Sequence, residues 1–238
     1  MRSTKDNLQV LFEDNHLIIV NKKVGDIVQG DKTGDTPLSD IVKAYIAQKY
    51  KKPGKVFLGV VHRLDRPTTG VVIFAKTSKA LERMNKMLRE KTVEKTYWAL
   101  VEGTPKKNAD NLTHYLRKNP KNNKSTAYSK ETKDSKKAVL QYKLLLSLDN
   151  FSLLEVNLET GRHHQIRCQL SMNGNSIKGD LKYGSKRSNK NGGIHLHARK
   201  IQFMHPVKKE EILVLAPLPK DPLWAICTKE LKNQKKAG

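Results

Sequence analysis

The chain has 238 residues, 37% of them hydrophobic, enough apolar material for one or two cores, and one catalytic domain is the simpler expectation. No run approaches the roughly 18 apolar residues of a membrane span, Met1 to Asn7 carries no apolar secretion signal, and two cysteines, Cys168 and Cys227, make no disulfide framework, so a cytoplasmic protein with no membrane partner is expected. The 46 Lys and Arg against 23 Asp and Glu give a net charge of +23 spread along the whole chain, which favours a nucleic acid as partner over a membrane surface, without naming a reaction.

In chain order, Val10 to Phe12 and His16 to Val20 read as strands joined by the turn cluster Glu13-Asp14-Asn15. Pro37 to Lys49 places Leu38, Ile41, Val42 and Ile46 at helical spacing, and Pro53-Gly54 ends that unit before a β-rich run from Val56 to Val61. A charged turn, Arg63 to Gly70, precedes a strand at Val71 to Ala75. A helix then starts at Thr77 or Ser78, with Leu81, Met84 and Leu88 along one face. Tyr97 to Val101 is a further strand, closed by Gly103 and Pro105. The segment from Pro105 to Ala138 carries ten Lys or Arg against three Asp or Glu and little to bury, which suits either a solvated insertion or an arm along RNA phosphates. Strands resume at Val139 to Leu148 and Phe151 to Leu158 across Asp149-Asn150. A short helix runs through Ile166 and Leu170 to Gly174, and the last strands are Leu196 to Phe203 and Ile212 to Leu215. The basic tail from Lys229 to Gly238 is expected to fray. Recurring hairpins imply an α+β fold around a largely antiparallel sheet flanked by helices and loops, and no Gly-rich phosphate loop precedes a helix.

Two polar clusters carry candidate chemistry. In His62-Arg63-Leu64-Asp65-Arg66-Pro67-Thr68-Thr69-Gly70 one carboxylate stands between two arginines in a turn, and a neighbouring guanidinium favours the ionised form of a carboxylate; a plain salt-bridged turn would have the same spacing. In Thr160-Gly161-Arg162-His163-His164-Gln165-Ile166-Arg167 donors gather where a strand gives way to a helix, which suits an anion but equally a capped helix with basic side chains. His62, His195 and His197 invite a metal reading, disfavoured because a catalytic zinc site needs three ligands with defined supporting partners; no metal is expected.

Taken together, HRLDRPTTG at 62 to 70 and TGRHHQIR at 160 to 167 resemble the two signature motifs of the RluA-type pseudouridine synthases. DNHLIIVNK at 14 to 22, EKTYWALVEG at 94 to 103, KGDLKYG at 178 to 184 and LHARKIQFMHP at 196 to 206 extend the resemblance over most of the chain. Three departures stand out: Lys22-Lys23 where the family usually has Lys-Pro, Thr69 where it usually has Ser, and His163 where it most often has Thr.

The resemblance implies the pseudouridine synthase fold over residues 8–217, with a basic insertion at about 105–138, a basic tail at 218–238, and no N-terminal S4 domain. It implies an isomerase, an intramolecular transferase needing no cofactor, that converts a uridine of structured rRNA or tRNA to pseudouridine; nothing in it requires more than a monomer. By motif position Asp65 is the catalytic carboxylate, Arg167 its basic partner and Tyr97 the active-site tyrosine. Arg63 would fill the space a flipped base leaves, and His62, Arg66, Thr69, Arg162, His164 and Gln165 would complete the RNA-contacting set. The competing readings are a non-catalytic RNA-binding protein on the same fold and, more remotely, a metal-dependent RNA hydrolase using His195 and His197.

Overall fold

A computed structural model describes residues 2–237; Met1 and Gly238, the outer ends of the expected polar leader and basic tail, lie outside the described residues. In chain order the elements are β1 (Val10–Glu13), β2 (Leu17–Lys22), α1 (Leu38–Lys49), β3 (Gly59–Val60), β4 (Thr69–Ala75), α2 (Ser78–Arg89), β5 (Glu94–Glu102), β6 (Ala109–Asn119), β7 (Lys124–Tyr128), β8 (Lys136–Ser147), β9 (Phe151–Leu158), α3 (Gln165–Met172), a 3-10 turn at Leu181–Tyr183, β10 (Leu196–Met204), β11 (Glu211–Leu215) and α4 (Pro222–Ala237). The chain divides into two compact units, Met1–Lys95 with Ala198–Pro217, and Thr96–His197 with Leu218–Gly238.

In the first unit the expected hairpin pairs β1 with β2, and β2 pairs antiparallel with β4 from Leu17↔Ala75 to Lys22↔Gly70. β11 pairs with the Lys200–Met204 stretch of β10. β2 is a continuous apolar run, Leu17 to Val20, instead of an alternating one, because helices cover both faces. Leu17 and Ile19 pack with Ala80 and Met84 of α2, whereas Ile18 and Val20 pack with Leu38, Val42 and Ile46 of α1. Each such side chain contributes about 1.5–3 kcal/mol by leaving water. Thr77 is the cap of α2, its Oγ1 accepting the Ala80 N–H at 3.2 Å. The β-rich run expected from Val56 to Val61 is shorter than its composition suggests: only Gly59–Val60 pairs, with β4, while Val56 and Leu58 pack on the α1 core as loop residues.

The second unit is an antiparallel sheet in the order β5-β9-β8-β6-β7. The segment from Pro105 to Ala138 differs from the expectation that it has little to bury. β6 pairs with both β8 and β7, and Leu112, Leu116, Ser125 and Ala138 are buried. Its strands alternate, so one face carries the cations to solvent while the other carries the few apolar residues inward. The expected frayed tail is also corrected: Pro222–Ala237 is helical, and Trp224 and Cys227 join Leu100, Leu146 and Leu153 in a core cluster. Both cysteines are free and buried.

Truncating Trp224, 3% exposed, leaves a cavity in that cluster. Trp224→Ala is expected to lower unfolding free energy by about 3–5 kcal/mol in urea titration; a change within about 0.5 kcal/mol, the value for a surface position, would mean that α4 is not packed.

Candidate active site

Asp65 sits in the turn between β3 and β4 of the first unit, where the Thr68 N–H donates to the Asp65 carbonyl at 3.0 Å. The turn is held from beneath by Lys22, the last residue of β2, which is 1% exposed. Its ammonium donates to the carbonyls of Thr68 at 2.7 Å, Arg66 at 3.0 Å and Lys23 at 3.1 Å. A buried cation demands acceptors, and here two of the three acceptors are backbone carbonyls of the loop that carries Asp65. Burial lowers the Lys22 pKa to about 7, against the opposing fields of Asp26 and Asp65 and with a smaller lowering by Arg66. Asp26 in turn accepts from the Ser3 N–H and Oγ and from the Lys23 N–H, tying the N-terminal residues to the same loop.

The other residues of this motif divide by task. His62 Nε2 accepts the Ile73 N–H at 3.2 Å, which fixes the ring as a neutral acceptor on β4. Burial, reinforced by the Lys95 ammonium, pushes its pKa down to about 3. Arg66 pairs with Asp35 and Asp31 and donates to Thr33 Oγ1 at 2.7 Å, so its guanidinium clasps the loop before α1. Thr69 is buried at the start of β4, whereas Arg63 is exposed. Gly70 has φ +112°, and a Cβ there would lie 2.3 Å from the Ala198 carbonyl oxygen, so only glycine fits where β4 leaves the turn.

The second motif and Tyr97 belong to the second unit. Tyr97 is a buried residue of β5, opposite Val156 of β9. Gln165 spends its amide on the motif's own loop: Oε1 accepts from Thr160 Oγ1 at 2.8 Å and the Arg162 N–H at 2.9 Å, and Nε2 donates to the Val139 carbonyl at 3.1 Å. His164 precedes α3 with φ 52°, a left-handed conformation that turns the chain into the helix. Its Nδ1 is hydrogen-bonded to the Tyr183 hydroxyl at 2.9 Å, and the His163 ring stacks on it at 3.7 Å. Arg162 is exposed, its Nε donating to the Lys137 carbonyl at 3.0 Å.

Arg167 is 5% exposed and forms a bidentate pair with Asp180, Nε to Oδ2 at 2.7 Å and Nη2 to Oδ1 at 2.9 Å. This fork geometry takes two of the guanidinium's five donors and fixes its in-plane direction. Sequence reasoning gave no role to Lys22, Asp180 or Tyr183. The available signal was their place inside the quoted landmarks DNHLIIVNK and KGDLKYG, where a charged or phenolic side chain stands among apolar or turn residues. His195, weighed as a metal ligand, uses both ring nitrogens within the protein, Nδ1 with Asn189 Nδ2 and Nε2 with Asp221, each at 3.0 Å. Asp221 also accepts the Leu223 N–H at the start of α4, so this histidine ties a strand to a helix. No group of three or more His, Cys, Asp or Glu among the described residues could hold a metal ion, and no described helix is long and apolar enough to cross a membrane.

Lys22 has a folded pKa of about 7, below its ordinary 10.5, so between those values the unfolded chain binds more protons and stability rises with pH. In urea unfolding from pH 7 to 10, the stability of wild type relative to Lys22→Met is therefore expected to increase with pH; a flat difference would place the ammonium in water. His62 has the same sign on the acid side: its contribution is lost as pH falls from 6.5 toward 3, because only the unfolded chain takes up the proton there. NMR of the His62 ring should show a neutral imidazole from pH 8 to 5, and a midpoint near 6.5 would contradict its role as acceptor.

Residues 16–172 match the family model described as RNA pseudouridylate synthase, a stretch that holds both motifs. The chain is 36% identical over 215 residues to an RNA pseudouridine synthase of Synechocystis, covering 89% of this chain and 66% of that protein. It is 31% identical over 224 residues to the ribosomal large subunit pseudouridine synthase D of Zymomonas mobilis, covering 90% and 70%. The chain thus spans about two thirds of the length of these curated relatives. In fold it is similar to human RNA pseudouridylate synthase domain containing 4, with a TM-score of 0.76 at 24% identity over 94% of this chain and 93% of that one. The expected α+β fold with a largely antiparallel sheet is therefore that of the pseudouridine synthases, whose members are isomerases that convert uridine in RNA to pseudouridine. The extent of the matched stretch and the identity to these relatives establish that the chain belongs to the RNA pseudouridine synthase family of RluA type.

Proposed function

We propose that this protein isomerises a uridine of large-subunit ribosomal RNA to pseudouridine, with Asp65 as the catalytic carboxylate, Tyr97 and Arg167 assisting it, and residues 8–217 as the catalytic part. The observation that carries the reading is the Asp65 turn, a carboxylate on a short loop whose carbonyls are tied to a buried ammonium, within a stretch that matches the family. The choice of ribosomal RNA rests on the Zymomonas relative, a ribosomal large subunit pseudouridine synthase.

The reaction breaks the C1′–N1 bond and forms C1′–C5. The C5 proton is lost and N1 gains one, so atoms and oxidation state are conserved and no redox partner is called for. Asp65 acts ionised, as a nucleophile on the nucleoside or as the base for a ribose proton. A guanidinium held in plane by Asp180 suits the task of keeping a carboxylate charged and oriented. Tyr97 supplies an aromatic face to the uracil and a hydroxyl for proton transfer. The target base must leave its stack at a cost of a few kcal/mol. Exposed Arg63 is suited to fill the gap, because a planar guanidinium can stack on bases and grip phosphate together. Arg162, equally exposed, is assigned to a phosphate, while His62, Arg66, Thr69, His164 and Gln165 shape the two loops that present the contacts.

Mapping pseudouridine at single-nucleotide resolution in ribosomal RNA from cells with and without the gene tests the whole reading. One or a few positions should lose the modification and regain it with wild type but not with Asp65→Asn. In vitro, Asp65→Asn is expected to lower the rate by about 100-fold or more, the scale of a lost acid–base group, with RNA affinity within about three-fold. Full activity of Asp65→Asn, or modification confined to transfer RNA, would overturn the corresponding part. Affinity should also fall steeply with salt, since phosphate contacts release counterions.

A further inference from the structure

The motif KGDLKYG holds Arg167 at two points within the second unit. Asp180 grips two of its nitrogens, and three residues later the Tyr183 ring lies 5.0 Å from the guanidinium carbon. Tyr183 is itself fixed. It is 4% exposed, its hydroxyl accepts the Ser125 N–H of β7 at 2.8 Å and is hydrogen-bonded to His164 Nδ1 at 2.9 Å, and the His164 ring meets it edge-on at 5.6 Å. The Lys124 ammonium stands 5.3 Å from the same ring. Burial pushes the phenol up to about 12, so the ring is neutral at working pH. A bidentate carboxylate sets the in-plane direction of the guanidinium but resists tilt about the axis of its two bonds only weakly. An aromatic face whose own position is locked from β7 and from the residue before α3 opposes that tilt.

We propose that Tyr183 is a positioning residue for Arg167, its ring fixing the tilt of the guanidinium that Asp180 grips. The inference rests on the reading of Arg167 as the partner of the catalytic carboxylate. Because the ring acts through its π face, Tyr183→Phe, which loses the two hydroxyl bonds but keeps the enclosed ring edge-on to His164, keeps most of the function, and Tyr183→Leu loses it.

The test is single-turnover pseudouridine formation at saturating RNA. Tyr183→Leu is expected to be slower by about 5- to 30-fold, the range of a desolvated cation–π contact, with RNA affinity within about three-fold, while Tyr183→Phe stays within about three-fold of wild type. In an Arg167→Lys background Tyr183→Leu should add almost nothing, because the two residues act as one. A full multiplicative loss there, or a wild-type rate in Tyr183→Leu, overturns the proposal. If Tyr183→Leu does not fold, replacing Tyr183 by 3,4,5-trifluorophenylalanine keeps the shape and drains the π face. A rate below that of Tyr183→Phe supports the proposal, and an equal rate overturns it. Arg167→Lys by itself separates the two levels. If it matches wild type, the active-site reading fails and takes the proposal with it; if it is impaired while Tyr183→Leu is not, only the proposal fails.

Discussion

A lysine side chain buried at the end of a central strand constrains everything around the first motif. Taking the Lys22 ammonium out of water is costly unless several oxygens replace the lost hydration, and the protein supplies three backbone carbonyls, two of them from the Asp65 turn. The turn is thereby tied to a buried amino group beneath it. Its flanks are held separately: Gly70 lets β4 leave the turn against the Ala198 backbone, and Arg66 pairs with Asp35 and Asp31. The lysine that replaces proline at position 23 is absorbed as well, its backbone N–H donating to Asp26 and its ammonium to Asn7.

The second unit solves a similar problem with neutral groups. The loop before α3 is closed on itself by the Gln165 amide, and its two histidines are anchored to β7 through Ser125, whose hydroxyl donates to the His163 carbonyl and whose N–H donates to Tyr183. Cys168 adds a contact to the Ser125 carbonyl. Most residues of TGRHHQIR therefore build the platform for Arg167, and Arg162 is the one assigned to RNA.

Charge has two roles in this chain. Several acidic side chains are committed to internal partners: Glu13 to Lys49 and Lys76, Asp14 to Lys208 and His205, Asp180 to Arg167, and Asp221 to His195. These pairs cancel locally, so the net charge of +23 is carried by the remaining side chains. The β6–β7 hairpin carries part of it, with Arg117, Lys118 and Lys121 exposed beside the buried Leu116. A strongly basic chain attracts polyanions at long range and leaves selection among them to the loops.

The sequence by itself determined the local framework. Apolar runs marked β2 and β4, helical spacing marked α1, the Thr77-Ser78 pair marked the start of α2, and the two motifs with their ordered companions marked the family, because periodicity, capping and motif spacing are written in neighbouring residues. The tertiary structure alone decided where the polar groups go. Lys22 finds carbonyls 44 and 46 residues away, Arg167 finds Asp180 across a helix end, the lysine-rich stretch after Pro105 becomes two strands because β8 offers it an edge, and α4 is held because Trp224 and Cys227 find a core built from β5, β8 and β9. A basic, sparsely apolar segment looks unstructured in one dimension because its ordering energy comes from partners distant in sequence, and no local signal records a partner that only folding brings near.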